Sequence, residues 1–278
     1  KVSAPRLGHA YSVHGITGSL GWALAPAMMV PIALAYSWRA ALASAGVLAF
    51  VVLAVLWLNR ERLSLPAAPR PAQGTSPAGA EDPMAFLRIP AVWMCFGFFF
   101  FYAMSLSVVQ AFAPEAARQL HGVPLALVAV CLTTYMVCAA GGMVLGGFLA
   151  SDPARCERVV GVGFGLAACI ALLLALGNLS AAVVPVLFGA MGFSAGIAGP
   201  SRDLLVKKST PDNATGRVYG VVYSGLDIGQ AISPLIFGLL MDHGQFRGVL
   251  IGLAVVQAVL IVSAFNVRRV RRTALAPA

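Results

Sequence analysis

The chain has 278 residues, of which 59% are hydrophobic and only 10% charged, and its mean hydropathy is +0.86. Soluble domains carry roughly 25% charged residues, so the composition excludes an ordinary globular enzyme and points to an all-α membrane protein. The net charge of +9 does not indicate a nucleic-acid partner, because the basic residues sit in short gaps between apolar runs rather than on one folded face.

Runs of about 20 apolar residues mark candidate membrane-spanning helices. Eight follow in order: 10–35, 39–58, 91–113, 124–150, 158–177, 181–200, 216–240 and 247–267. The chain opens on KVSAPRLGHAYS, with no initiating Met and no signal-peptide pattern, which reads as a truncated beginning. The first span holds His14, Gly15, Gly18, Gly21 and Pro26. His14 lies only a few residues in, so it reads as a packing residue near the surface, although imidazole can change charge near physiological pH.

Between the second and third spans runs a polar segment, 59–89, with Pro66, Pro69, Pro71, Pro77 and Pro83 and the stretch GTSPAGAED. Such composition predicts a flexible linker. It divides the chain into 1–58, two helices; the linker 59–89; and 90–278, six helices with a basic tail. The third span is crowded with rings from Trp93 to Tyr102 on every helical face, and it carries Gln110 near its far end. Thr133, Thr134 and Tyr135 place hydroxyls inside the fourth, where they can line a cavity or bond their own backbone. Arg202 and Asp203 follow Pro200 at the expected end of the sixth.

Charges test this map. Assigning alternate gaps to opposite sides puts 16 of the 19 Lys and Arg on one side, leaving only Arg39, Arg118 and Arg247 on the other. The crowded side is cytoplasmic by the positive-inside rule, so both ends and the linker are expected inside, in a multi-pass protein of the inner, cytoplasmic membrane.

The seventh span, GRVYGVVYSGLDIGQAISP, carries Asp227 near its middle. A carboxylate at that depth costs several kcal/mol unless it is paired, hydrated or protonated. Tyr219, Tyr223, Asp227, Gln230 and Pro234 follow i, i+4, i+8, i+11 and i+15, one helical stripe. The stripe fits a residue that binds a cation, a proton or substrate; it also fits a structural carboxylate bonded to a neighbouring helix. Gly225 and Gly229 form Gly-x-x-x-Gly on another face, the spacing of close helix packing. Cys95, Cys131, Cys138, Cys156 and Cys169 lack metal-ligand spacing and read as small apolar packers. There is no Ser/His/Asp set, His-Glu-x-x-His pattern or phosphate-binding Gly-Lys-Ser/Thr loop, so neither an enzyme nor a cofactor is expected.

The first and seventh spans repeat one another at an offset of 208 residues: Gly8, Tyr11, Val13, Gly21, Ala23 and Pro26 match Gly216, Tyr219, Val221, Gly229, Ala231 and Pro234. Parallel repeats of this kind build transporters. The repeating unit is six helices long, so a two-by-six protein has four helices before Lys1. Here the residues resemble the major facilitator superfamily of secondary transporters, with this chain read as helices five to twelve of the usual twelve. Gly15, Gly18, Gly21 and Pro26 resemble the glycine–proline motif of the fifth helix, commonest in exporters and antiporters. The gap GGFLASDPARCERV resembles the family's short cytoplasmic-loop motif, with Gly147, Asp152, Arg155 and Arg158 in approximate places, the spacing off by one and the second glycine missing.

The resemblance implies alternating access between two halves. It also implies a small organic solute as substrate, protons as the coupling ion, no cofactor, and action as a monomer of the full-length chain within the lipid bilayer. The antiporter-like glycines lean toward efflux. The rival expectations are proton-coupled uptake of small solutes such as carboxylates, and a non-transporting membrane sensor or assembly protein. The residues expected on the pathway are Asp227, Gln230, Tyr223, Tyr219, Gln110 and Thr134. Those expected in packing and gating are Gly15, Gly18, Gly21, Pro26, Gly225, Gly229 and Pro234.

Overall fold

A computed structural model of the chain describes residues 7–63, 85–150, 155–209 and 215–274. Among them the secondary structure is helical, with no strand. The helices are α1 (Leu7–Ala35), α2 (Trp38–Leu58), α3 (Arg60–Leu63), α4 (Pro90–Ala111), α5 (Ala113–His121), α6 (Leu125–Leu149), α7 (Cys156–Leu176), α8 (Val183–Ser209), α9 (Thr215–Asp242) and α10 (Phe246–Ala274). A short 3-10 turn, Ala85–Arg88, precedes α4. Eight of these helices coincide with the eight expected apolar runs. Six, α2, α4, α6, α7, α8 and α9, are long and apolar enough to cross a membrane, and the apolar part of α10 is the shorter Phe246–Val262. Helices suit that setting because each satisfies its own backbone hydrogen bonds, which lipid cannot do.

Local chemistry sets the helix ends. The Ser37 hydroxyl accepts from the Ala40 amide at 3.1 Å and starts α2. Asn59 closes it, with its side-chain amide donating to the Val55 carbonyl at 2.8 Å. Pro90 stands in the first turn of α4, where its missing N–H costs nothing. Within α4, the exposed Trp93 indole donates back to the Leu87 carbonyl at 2.8 Å, a tie between a spanning helix and the segment that leads into it.

Two features depart from the sequence reading. The third run does not continue to 113: the chain turns at Phe112 and forms α5, a nine-residue amphipathic helix. Its Ala113, Pro114, Ala116 and Ala117 are buried, while Glu115 and Arg118 form an ion pair at 2.7 Å. Gly122, at φ 63°, ends α5 in the left-handed conformation, and His121 bonds the Leu174 carbonyl of α7 at 2.7 Å. The Arg118 hydrogen bonds hold the Glu115 carboxyl below its ordinary value. The second departure is that α8 runs through Pro200 to Ser209, so Arg202 and Asp203 belong to a helix rather than to the gap after one.

The chain divides into two compact units, Gly21–Pro83 and Lys1–Leu20 with Met84–Ala278. In the smaller unit α2 is apolar all round, and only Ala41 of its residues is buried. In the larger unit the helices pack chiefly in the series α9–α4–α10–α7–α8–α6, and α5 packs on α4, α6, α7 and α10. The residues 64–84, which include most of the expected linker, lie outside the described ones.

The tightest contact joins α6 and α8. Added Cβ atoms at Gly142 and Gly146 would collide with the Phe193 and Ile197 carbonyls, and at Gly192 and Gly196 with those of Tyr135 and Ala139. Backbones approach this closely only where side chains are absent, as expected where lipid offers no hydrophobic drive and packing holds helices together.

Candidate functional site

α9 presents two different faces. Val218, Val222, Gly225, Gly229, Ser233 and Phe237 are buried, and Gly225 and Gly229 lie against the backbone of Phe96 and Phe100 in α4. The Ser233 hydroxyl adds a donor to the Met104 carbonyl at 3.4 Å. Across the helix, Asp227 and Pro234 are exposed, and Tyr219, Tyr223 and Gln230 are half-buried. The 3.6-residue period forces this division: residue 227 is about 160–200° around the helix from 225 and 229. Fixing the glycine face on α4 therefore turns the carboxylate away from it.

The aromatic part of the stripe is ordered by stacking. Tyr219 and Tyr223 lie with ring centroids 5.5 Å apart and planes 23° off parallel. Phe99 of α4 meets Tyr223 edge-on at 5.1 Å. Such pairs contribute about 0.5–1.5 kcal/mol beyond burial, and this one fixes Tyr223 one turn before Asp227. Two turns after it, Pro234 has no N–H to donate to the Gln230 carbonyl, so that oxygen lacks its ordinary helical donor. The stripe thus offers a carboxylate, a carboxamide, a backbone carbonyl and stacked phenols: acceptors and aromatic faces suited to a proton or to an organic cation.

The other expected pathway residues lie elsewhere. Gln110 is half-buried in the last turn of α4. The pairing of Phe100 with Gly229 and of Phe112 with Gly238 puts it roughly 10–15 Å farther along the parallel helices than Asp227. Thr134 belongs to α6, at the opposite end of the packing series, and its hydroxyl lies 2.7 Å from the Val130 carbonyl and 3.1 Å from that of Pro185 in α8. The structure therefore gives Thr134 a role in tying α6 to α8 and does not bring it to Asp227. Gly147 is buried on α6, while Arg155 and Arg158 are exposed at the start of α7. Asp152 lies outside the described residues, as do the surroundings of Gly15 and Pro26. Gly18 and Gly21 face open space.

Five polar residues missed in the sequence are fully or nearly buried in the same bundle: Ser105, Ser194, Ser201, Ser233 and Gln257. The Gln257 amide donates to the Ser105 hydroxyl at 3.4 Å, linking α10 to α4. Gln257 stands among aliphatic residues in an unbroken apolar run, and that contrast was the one available signal.

Helices of membrane-crossing length around a glycine-packed bundle, with a carboxylate left on an unpacked face, define a multi-pass membrane protein of the transport class. The sequence profile of the Major Facilitator Superfamily matches residues 1–222 and again 157–278, and the chain belongs to that superfamily of secondary transporters, whose members are transporters rather than enzymes. No curated protein matches the chain.

Proposed function

We propose that this protein moves a small organic solute across the cytoplasmic membrane by alternating access, driven by protons and directed outward. The observation that carries the reading is the division of α9, whose glycine face is packed on α4 while Asp227 stands exposed opposite it. In a bilayer that position requires water or a partner, and a cavity at a repeat interface supplies both. A carboxylate that is alternately hydrated and desolvated changes proton affinity between the two states, which is what coupling to a proton gradient needs. The stacked tyrosines beside it favour cationic or aromatic solutes over anionic ones. The profile's double match over 157–222 and the 208-residue offset between repeats support a structure of related halves. The basic residues favour a cytoplasmic location for both ends.

The test is flux in proteoliposomes of the full-length protein with a panel of organic cations and neutral aromatic solutes. Solute movement should follow an imposed pH gradient and stop when a protonophore collapses it. Equal flux with and without the gradient would contradict proton coupling. Faster movement along with the protons than against them would replace efflux by uptake.

A further inference from the structure

Gln257 is fully buried in α10, yet only one end of its carboxamide is used. Nε2 donates to the Ser105 hydroxyl of α4 at 3.4 Å, while Oε1 has no hydrogen-bond partner. Among the described residues one other buried side-chain atom, Ser201 Oγ of α8, is in that condition. Ser201 is a single group, whereas Gln257 belongs to a set. Ser233 of α9 donates to the Met104 carbonyl at 3.4 Å, and that carbonyl is part of the peptide link that joins Met104 to Ser105. Three helices thus bring polar groups to one short stretch of α4. These two serines reach across to other helices, whereas Ser194 satisfies its hydroxyl on its own helix, at the Ala190 carbonyl 2.8 Å away. Both interhelical contacts are longer than the usual distance of about 2.7–3.0 Å, so direct bonding alone leaves the set incompletely satisfied.

We infer that a water molecule is bound at this junction of α4, α9 and α10, accepting from the Ser105 hydroxyl and donating to Gln257 Oε1. Ser105 is the acceptor in its bond with Gln257, so its own proton remains to be given. The Ser233 oxygen donates to Met104 and keeps its lone pairs, which makes it the further acceptor on the junction. An unmade carboxamide acceptor is costly in apolar surroundings, and buried waters bond about three such groups each. A half-turn of the carboxamide exchanges its ends: the Ser105 hydroxyl then donates to the oxygen and the NH2 group is left over. Water serves either orientation because it both donates and accepts, whereas a metal cation serves only one. Leu253 and Leu260, about one turn to either side of Gln257, are fully buried, so the site is internal rather than an inlet from lipid or bulk water. Ser233 shares the buried face of α9 with Gly225 and Gly229, which sets the site apart from Asp227.

A cryo-EM or crystal map of the full-length protein, at a resolution that shows ordered water, tests this directly. The wild type should show a peak within about 3.2 Å of both the Gln257 carboxamide and the Ser105 hydroxyl. Ser105→Ala combined with Gln257→Leu, which sets apolar groups against each other, should lose the peak. Ser201→Ala, on a different helix, should keep it. Should the double variant fail to fold, Gln257→Met serves: it keeps the side-chain length, removes the carboxamide and should also lose the peak. A wild-type map without the peak, or a peak that survives the removal of the carboxamide, would overturn the proposal. So would a peak ringed by oxygens at about 2.4 Å, the distance of a bound metal cation rather than of water. None of these readouts depends on transport.

Discussion

Two spanning helices, α2 and α9, are both mostly exposed, yet their exposure means different things. In the apolar window of α2 6% of the residues are buried, and in that of α9 22%. What α2 exposes is aliphatic and aromatic: Val47, Phe50, Val55 and Trp57. In a bilayer these side chains lose nothing, because lipid tails are as apolar as they are. What α9 exposes includes Asp227, which lipid cannot solvate. Exposure of apolar surface on a membrane helix is therefore silent about function, whereas exposure of a carboxylate demands water, a counter-charge or a ligand. The comparison depends on α9 being held by its glycine face, and that dependence can be broken experimentally.

The largest effect is expected where small residues bring backbones together. Gly196→Val puts a branched side chain into the Ala139 backbone of α6. No rotamer relieves such a collision, so the cost should reach or exceed the roughly 3 kcal/mol of severe overpacking. Size-exclusion chromatography in detergent should show loss of the monodisperse species. Gly229→Val should do nearly as much by pushing α9 off Phe100, with the melting midpoint as the measurement. The same helix supplies the control: Gly220 has nothing within 4 Å of an added Cβ, so Gly220→Ala should leave the midpoint unchanged or raise it through helix propensity. If the two substitutions behave alike, α9 is not held by its glycine face.

A smaller effect is expected at the buried pair linking α10 to α4. Ser105→Ala removes the acceptor at 3.4 Å from the Gln257 amide and leaves a buried donor unpaired, at a cost of about 1 kcal/mol. Adding Gln257→Leu should recover most of it, since apolar groups then face each other. A double variant no more stable than Ser105→Ala alone would show that the pair does not act as a unit.

The smallest effect concerns the ion pair on α5. The Glu115 carboxyl is held below its ordinary value of 4.5 by the Arg118 hydrogen bonds. The folded state therefore binds this proton less readily than the unfolded one. The pair's contribution is complete above about 4.5 and disappears as pH falls through the lower folded-state value. Glu115→Gln should leave the neutral-pH midpoint almost unchanged and flatten its decline between pH 5 and pH 3, a range bracketing that 4.5. The pair is too solvated to do more.

Much of the fold was legible because a bilayer permits so little else. Continuous apolar runs located the long helices, and their ends shifted by only a few residues except at α10, which runs on to Ala274, and at α8. There Pro200 suggested a stop, yet the helix continues through it, as spanning helices allow when neighbours absorb the lost hydrogen bond. The Gly-x-x-x-Gly spacing pointed to a packing face on α9, whereas the denser seam between α6 and α8 was not apparent. Its glycines lie on two separate helices, and only the fold brings them together. α5 was missed because nine residues are too few for an apolar window, although Pro114, the Glu115–Arg118 spacing and Gly122 spell a short capped helix. On the candidate site, helical periodicity sufficed for the Tyr219–Tyr223–Asp227–Gln230 stripe, because those residues share one helix. It could not decide whether Gln110 and Thr134 belong with them, since that depends on the order in which helices pack.

The central claim is that Asp227 carries the coupling proton. Its most direct test is pH-gradient-driven transport by Asp227→Asn and Asp227→Glu variants in proteoliposomes, compared with gradient-free exchange of the same solute. The account predicts that Asn abolishes the gradient-driven component while exchange persists, and that Glu restores part of it. Full gradient-driven transport by Asp227→Asn would contradict the account and make the carboxylate structural.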